Sequence, residues 1–271
     1  GQEVYGIDMQ TGKEGELPRF PTPDELWRMT FEKPDRWRDQ FAAIPYEDKG
    51  GTHPGRYYQD IAIERVLDAV AAGRDRILLT LATGTGKTTV AFQICWKLWS
   101  AGWSVSQDAT RKPRILFLAD RNVLVDDPKD KDFAPFGEAR MKIEGEAIKS
   151  REMYFAIYQA IAKDERRPGL YREYAPDFFD LIVVDECHRS IYSLWSQVLE
   201  YFDASIIGLT ATPGGHTYAW FQQNVVSEYA HVEAVRDKVN VPFWVYQIRT
   251  AVGEEGATVK AEPGLGILKR H

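Results

Sequence analysis

Two short strings of the sequence contain residue types that can bind phosphate and a metal ion. The first, Ala82 to Thr88, reads Ala-Thr-Gly-Thr-Gly-Lys-Thr and lies between the apolar run Ile77 to Leu81 and a helix-compatible stretch from Thr88 to Trp99. A loop that joins a strand to a helix presents main-chain N–H groups and the positive end of the helix dipole, and both favour phosphate. The sequence therefore predicts a phosphate-binding loop at this position.

Within this loop, Lys87 is predicted to reach the β- and γ-phosphates of a nucleotide, and the Thr88 hydroxyl to bind a magnesium ion. The predicted nucleotide contacts of the loop are Thr83, Gly84, Thr85, Gly86, Lys87, Thr88 and Thr89. The general pattern of such loops has a further glycine where this chain has Leu81, so the loop alone matches the pattern imperfectly.

The second string supplies carboxylates. Four apolar residues, Leu181 to Val184, are typical of a buried parallel strand, and Asp185 and Glu186 follow at its carboxyl end, where α/β sheets bind ligands. We expect Asp185 to bind magnesium and Glu186 to orient or deprotonate an attacking water. Alternatively, the two acids merely end a strand and the first string is an ordinary Gly-rich turn. Both strings in their strand contexts favour ATP with Mg²⁺, and Lys87, Asp185 and Glu186 as catalytic residues.

The elements that must position these residues alternate along the chain. Strand-like and helix-like stretches alternate, and this pattern predicts an α/β fold with a mostly parallel sheet and helices on both faces. The predicted strands cover residues 77–81, 115–118, 153–157, 181–184, 206–209 and 241–248, and the predicted helices include 57–72, which ends at Gly73, and 194–202. Residues 126–132, rich in Asp and Lys, are expected to form a solvated loop.

We divide the chain into a connector over residues 1–55, a nucleotide-binding domain over 56–240, and a strand and linker over 241–271. A helix is predicted to start at Thr22, with Pro23 in its first position and Glu25 three residues later. Four aromatic residues at roughly helical spacing are expected to pack against the next domain: Trp27, Phe31, Trp37 and Phe41.

Composition is that of an ordinary globular protein, with 271 residues, 44% hydrophobic and 27% charged. Because the net charge is −6, any surface that binds nucleic acid must be a local patch of positive charge. No apolar run could span a bilayer and no signal peptide is evident, so we expect a cytoplasmic protein without a membrane partner. Cys95 and Cys187 are expected to be free thiols. Since the first residue is Gly1, the chain is expected to be a piece of a longer protein.

A third string follows the acidic pair and reads Leu209-Thr210-Ala211-Thr212-Pro213. Together, the phosphate-binding loop, the acidic pair and this third string resemble the first RecA-like domain of a superfamily 2 helicase or translocase of the DExH type. The sequences that flank these strings resemble, more specifically, the R (restriction) subunit of type I restriction-modification enzymes. The strings that carry this resemblance are residues 20–27, 56–59, 76–88, 114–121 and 185–190.

The resemblance implies roles for further residues. Gln59 is similar to the glutamine that reads the adenine edge, although its short motif also fits a surface glutamine at a helix start. His188, Thr210 and Thr212 match the network that couples phosphate state to domain movement, with a structural role for His188 as the alternative. Three residues fall where the family contacts the DNA backbone: Arg121, Tyr158 and Gln159.

For the complete protein, the resemblance implies ATP-driven translocation of double-stranded DNA before cleavage, together with methyltransferase and specificity subunits. The chain contains no recognisable nuclease motif and no second RecA-like domain with arginine fingers. We therefore expect it to bind nucleotide but to hydrolyse it slowly, translocate nothing and cut nothing. The alternatives are a type III restriction subunit or a repair translocase, a P-loop kinase or metabolic NTPase, and a nucleotide-gated assembly module.

Overall fold

The computed structural model describes residues 4–7, 14–17, 19–23, 25–27, 36–51, 54–106, 111–162, 169–189 and 196–242. Its strands form two sheets. An antiparallel pair near the start consists of β1 (Val4–Ile7) and β2 (Glu14–Leu17). The larger sheet contains β3 (Arg76–Leu81), β4 (Ile115–Ala119), β5 (Arg140–Lys142), β6 (Met153–Ile157), β7 (Leu181–Val184), β8 (Ser205–Thr210) and β9 (Val225–Tyr229).

The larger sheet runs in the order β5-β6-β4-β7-β8-β3-β9, and all of its pairings are parallel. All of these strands therefore end at the same edge. Only β8 lies between β3, which precedes the phosphate loop, and β7, which precedes the acidic pair. This order confirms the predicted mostly parallel sheet.

Helices cover both faces of this sheet. They are α1 (Arg36–Ala43), α2 (Tyr57–Ala71), α3 (Lys87–Ala101), α4 (Val123–Asp127), α5 (Tyr158–Ile161), α6 (Ser196–Tyr201), α7 (Gly215–Trp220) and α8 (His231–Arg236). Successive strand residues point to opposite faces, so Leu79 and Phe117 join a core cluster with α1, α2 and α3. Leu78 and Leu116 join a second cluster on the other face with α5 and α6. The predicted α/β class with helices on both faces is confirmed.

Most predicted elements agree with the structure to within two residues at each end. The second helix ends as expected, because Gly73 adopts a φ of +71° and its N–H donates to the carbonyl of Val70. The strand β9 was not predicted, since its apolar residues are interrupted by Ser227 and the exposed Glu228. The predicted strand at 241–248 lies mostly outside the described residues.

The expectation of a loop at residues 126–132 is wrong. The segment continues α4 into a π-helical turn, Pro128–Asp132. Pro128 is buried, and the Asp126 carboxylate pairs with Lys142 at the neighbouring edge strand over 2.7 Å. Packing on one side of the segment therefore orders it despite its charged composition.

The N-terminal part packs onto the domain through α1. Trp37 and Phe41 are buried in the same cluster as α2 and α3, as predicted. Trp27 lines a cleft with Phe41 and Leu67 but is 62% exposed, so only part of its side chain packs on the domain, and Phe31 lies outside the described residues. The predicted helix start is confirmed, because Glu25 N–H donates to Thr22 Oγ1 and the Glu25 carboxylate accepts from Thr22 N–H.

Both cysteines are free and buried, and burial raises the pKa of each thiol. Within the described part of the chain, no helix is long and apolar enough to cross a membrane.

Candidate functional site

The sheet order brings three distant segments of the chain to one edge. The phosphate loop follows β3, Asp185 follows β7, and Thr210 ends β8 between them. Neighbouring parallel strands lie about 4.8 Å apart, so the ends of β3 and β7 are about 10 Å apart. Side chains from both strand ends can therefore reach a common ligand.

The phosphate loop curves because two glycines adopt left-handed backbone conformations. Gly84 has a φ of +81° and Gly86 a φ of +87°. Gly86 is the N-cap of α3, and its carbonyl accepts the N–H of Val90 over 3.0 Å. The first N–H groups of α3 remain without helical acceptors, as at any helix start, and the loop directs them to one place.

The side chains of Lys87 and Glu186 meet directly. Lys87 Nζ lies 3.4 Å from Glu186 Oε1, and Lys87 is 10% exposed. Glu186 has a φ of +48°, a conformation that is unfavourable for a residue with a side chain. That turn places Glu186 at the mouth of the site, while Asp185 is held inside it.

Asp185 is a buried carboxylate beside another acid. It is 6% exposed, its Oδ1 accepts the N–H of Glu186 over 3.0 Å, and its own N–H donates to the carbonyl of Leu118. Burial, and then the Glu186 charge, raise the pKa of Asp185 to about 6, with Lys87 acting in the opposite direction. A carboxylate in these surroundings is stabilised by a bound cation.

Thr210 connects the acidic pair with the third motif. Its hydroxyl lies 2.9 Å from Nδ1 of His188 and accepts the N–H of Thr212 over 3.1 Å. His188 Nδ1 also lies 3.5 Å from Glu186 Oε2. The three residues predicted to couple the site to movement therefore form one continuous network with the predicted catalytic Glu186.

Gln59 is tied to the phosphate loop. Its Nε2 donates to the carbonyl of Thr85 over 2.9 Å, and its Oε1 accepts the N–H of Arg56 over 3.1 Å. Tyr58 donates to the same Thr85 carbonyl through its hydroxyl over 3.0 Å. Gln59 is 5% exposed, so it is not the surface glutamine of the alternative interpretation.

The remaining loop threonines differ in accessibility. Thr85 is buried, and both its hydroxyl and its N–H donate to the carbonyl of Ala82, over 2.7 and 3.3 Å, so its side chain is not available to a ligand. Thr83 is exposed, and Thr88 and Thr89 are half-buried in the first turn of α3. Thr88 thus keeps the position from which a hydroxyl could bind a metal ion.

Sequence reasoning missed two residues beside the loop, Asn240 and Tyr229. Asn240 donates through Nδ2 to the carbonyl of Thr83 over 3.0 Å. Tyr229, which ends β9, stacks on Tyr58 with ring centroids 4.0 Å apart, and its hydroxyl donates to Asp237 over 2.8 Å. The sequence contains a weak signal for β9 in the β-branched pair before Tyr229, but no local signal for Asn240, because its contact spans 157 residues.

The three predicted DNA contacts do not share one environment. Tyr158 is fully buried, so the prediction that its side chain contacts a DNA backbone is wrong. The Arg121 side chain is 68% exposed, with Nε 3.7 Å from the Asp120 carboxylate. Gln159 is exposed and donates to the carbonyl of Asp120 over 3.3 Å. Arg121 and Gln159 remain predicted contacts.

The chain is similar to subunits of restriction enzymes. A family model described as the res subunit of type III restriction enzymes matches residues 52–215. The endonuclease subunit of the type I restriction enzyme EcoAI from Escherichia coli is 42% identical, over 89% of this chain and 28% of that protein. The corresponding EcoKI subunit from Escherichia coli K12 is 29% identical, over 94% of this chain and 22% of that protein.

A solved structure agrees with these sequence similarities. A fragment assigned as the HsdR subunit of a type I restriction enzyme from Vibrio vulnificus YJ016 is 47% identical, with a TM-score of 0.63 over 87% of this chain and 41% of that one. The predicted resemblance to the type I R subunit and its helicase-type α/β fold is therefore confirmed. The chain spans about a quarter of the length of the curated relatives it matches.

Proposed function

Because the chain belongs to the family described as the res subunit of type III restriction enzymes, we propose that it is the ATP-binding motor part of a restriction-enzyme subunit. The observation that carries this proposal is the contact between Lys87 Nζ and Glu186 Oε1. A lysine from the phosphate loop and an acidic pair from a strand two positions away converge on one place.

The residues present fit ATP with Mg²⁺. The loop from Ala82 to Lys87 supplies main-chain N–H groups and one ammonium group for phosphate oxygens. The Thr88 hydroxyl and the buried Asp185 carboxylate supply oxygen ligands of the kind that Mg²⁺ prefers. When bound, the metal ion neutralises phosphate charge. The raised pKa of Asp185 supports this fit, because burial and the Glu186 charge disfavour its ionised form, and a bound cation would offset both effects.

The side chains of the nucleotide site then have separate roles. Lys87 binds phosphate oxygens instead of Glu186, which leaves the Glu186 carboxylate free to accept a proton from water. Gln59 holds the loop through Thr85 and presents its remaining donor and acceptor capacity toward adenine. Thr210 connects Glu186, through His188, to the main chain at Thr212, so a change at the phosphate end alters the loop after β8.

In the longer protein, we propose that this site drives translocation of double-stranded DNA before cleavage, in a complex with methyltransferase and specificity subunits. Arg121 and Gln159, both at the same sheet edge as the nucleotide site, are proposed to contact the DNA backbone. We propose that the 271-residue chain binds nucleotide but turns it over slowly, because motors of this type complete their site with arginine residues from a second domain.

A binding titration tests the nucleotide site directly. The chain is titrated into a fluorescent ATP analogue with and without MgCl₂. We expect saturable binding that weakens when Mg²⁺ is removed, and a loss of at least about 10-fold in affinity for Lys87→Ala, since a charge-assisted contact contributes about 1.5–3 kcal/mol.

The matched control is Lys131→Ala, which removes a lysine that is 72% exposed on the π-helical turn. Its affinity should equal that of the unsubstituted chain. Equal affinities for Lys87→Ala and Lys131→Ala, with both variants folded by circular dichroism, would contradict the proposed site.

A further inference from the structure

A cleft of about 360 Å³ opens at the edge of the sheet opposite the nucleotide site. It lies where the chain enters β4 and β6. Five cationic side chains line it, with Glu152 as the single acid: Arg111, Lys112, Arg114, Lys149 and Arg151. We call this set of residues the basic cleft.

The basic cleft has a positive charge that its own surroundings do not neutralise. Asp180, 2% exposed, forms a two-point ion pair with Arg111 at 2.6 and 3.0 Å. The five cations face two acids, Glu152 and Asp180. Among the described residues of the basic cleft, three positive charges are therefore in excess. The whole chain has a net charge of −6, so this excess is local. Such a concentration of one sign attracts anions from solution.

Packing fixes part of the basic cleft and leaves part of it accessible. The Arg114 guanidinium lies 4.4 Å from the centre of the Phe178 ring, and Lys112 Nζ lies 4.4 Å from the centre of the Trp99 ring. Lys149 and Arg151 are exposed on the segment that enters β6. Since β4 and β6 are hydrogen-bonded neighbours, the fixed and the exposed cations lie side by side.

The lining chemistry distinguishes between classes of anionic partner. Apart from Ser150, every described side chain that lines the basic cleft is charged. Protein–protein interfaces have aromatic and apolar residues at their centre and few lysines. Phosphate groups need only cationic donors, and arginine and lysine are the residues that most often bind a nucleic-acid backbone. The lining therefore favours phosphate over an acidic protein surface.

The basic cleft is also independent of the nucleotide site. Arg114 precedes β4 and Asp120 follows it, a separation of six residues or about 20 Å along a strand. The Debye length at physiological ionic strength is about 8 Å, so charge changes in the basic cleft are screened at the phosphate loop.

We propose that the basic cleft is a second phosphate-binding site, and that its ligands are backbone phosphates of duplex DNA. The choice of DNA as the source of the phosphates rests on the proposed function in a DNA motor. The site lies away from Arg121 and Gln159, so it adds a contact on a different edge of the domain.

The test measures binding of a fluorescent 30-base-pair duplex by anisotropy over a range of NaCl concentrations. The variant carries Lys149→Glu and Arg151→Glu, both at exposed positions. The control carries Arg65→Glu and Arg74→Glu, which make the same charge change at exposed positions outside the basic cleft. Circular dichroism and thermal unfolding verify that both variants fold.

We expect the Lys149 and Arg151 variant to bind DNA at least about 10-fold more weakly and to lose about 1.8 from the slope of log K against log salt, since each phosphate contact contributes about 0.9. The control variant should change affinity less than about 3-fold. Absence of DNA binding by the unsubstituted chain, or equal losses in the two variants, overturns the proposal.

Two further measurements separate the alternatives. Titration with inorganic tripolyphosphate, with the phosphate loop saturated by ATP and Mg²⁺, detects a free-phosphate site in the basic cleft. If the variant loses tripolyphosphate binding and keeps full DNA binding, the assignment to DNA is overturned. Binding of the fluorescent ATP analogue should be the same in the variant and the unsubstituted chain. A chain that binds DNA through the basic cleft but binds no ATP would refute the proposed function and leave this inference standing.

Discussion

The side-chain amide of Gln59 donates a hydrogen bond to the main-chain carbonyl of Thr85 over 2.9 Å, so that α2 holds the phosphate loop from behind. The same amide is bonded through its oxygen to Arg56, which fixes its orientation. The residue that the resemblance assigns to the nucleobase is thus also a structural support of the phosphate site.

Gln59→Ala is therefore expected to lower ATP affinity and also the preference for ATP over GTP. Loss of one supporting bond of about 1 kcal/mol predicts roughly a 5-fold weaker affinity. Gln93→Ala is the matched control, because Gln93 is a buried glutamine of α3 whose amide is bonded to the main chain of Glu47 and not to the phosphate loop. Both variants should lose stability, but only Gln59→Ala should alter nucleotide binding. Competition between ATP and GTP for the fluorescent analogue measures the preference.

Gly86→Ala in the phosphate loop should lower the stability of the protein more than Gly102→Ala, a comparable substitution at the end of α3. Gly86 has a φ of +87°, and an added Cβ would collide with Nε2 of Gln59. The left-handed conformation alone costs about 1 kcal/mol for alanine, and displacement of Gln59 adds to it. Gly102→Ala shares a positive φ of +69° but meets open space. Thermal unfolding should show the larger loss for Gly86→Ala.

A double substitution identifies the source of that difference. If the collision with Gln59 is responsible, Gln59→Ala should recover part of the stability that Gly86→Ala loses. Additive effects of the two substitutions would show that the collision is not responsible.

Asp185→Asn should stabilise the nucleotide-free protein at neutral pH. The pKa of Asp185 is raised from 3.8 to about 6 in the folded state. A raised carboxyl pKa means that the folded state binds the proton more tightly, so stability is lost as pH rises from about 4 to 6 and stays low above that range. Two pKa units correspond to about 3 kcal/mol at most. Removing the charge removes this penalty.

Unfolding temperatures at pH 7.5 and pH 4 check this prediction, both without Mg²⁺. Asp185→Asn should unfold at a higher temperature than the unsubstituted protein at pH 7.5, and the advantage should disappear near pH 4. Asp39→Asn, on the exposed side of α1, should show no such pattern. A lower unfolding temperature for Asp185→Asn at pH 7.5 would contradict the assignment of an energetic penalty to this carboxylate.

Thr210→Val should separate nucleotide binding from hydrolysis. Valine matches threonine in shape but leaves His188 Nδ1 and the Thr212 N–H without the hydroxyl they share. In the longer protein, we expect ATP affinity within about 3-fold of normal and DNA-stimulated hydrolysis reduced at least about 10-fold, because His188 then loses a hydrogen bond of about 1.4 kcal/mol that holds it beside Glu186. Thr210→Ser should restore hydrolysis. If Thr210→Val hydrolyses ATP at the full rate, the hydrogen-bond network of Thr210, His188 and Thr212 is not needed for hydrolysis.

Much of this architecture was predictable because it is local. The buried strands are continuous apolar runs, so Leu181 to Val184 and Met153 to Ile157 could be located without tertiary information. Glycines at 84 and 86 indicated the loop because few other residues adopt a positive φ at low energy. The resemblance of the motifs to the type I family then gave the roles expected for Gln59, Thr210 and Thr212.

Tertiary structure decided what depends on contacts between distant residues. No pattern within residues 126–132 indicates a π-helical turn, because the partner that orders the segment, Lys142, lies on another strand. Burial of Tyr158 depends in the same way on packing around α5, which is why its assignment to DNA failed.

The sequence by itself determined which side chains could bind a nucleotide, because residue type and backbone preference are properties of short segments. Only the tertiary structure decided that Lys87 and Glu186 meet, that β8 lies between their strands, and that Asn240 reaches the loop from 157 residues away. The physical reason is that strand order follows from how the sheet buries its two faces, and burial is a property of the whole chain.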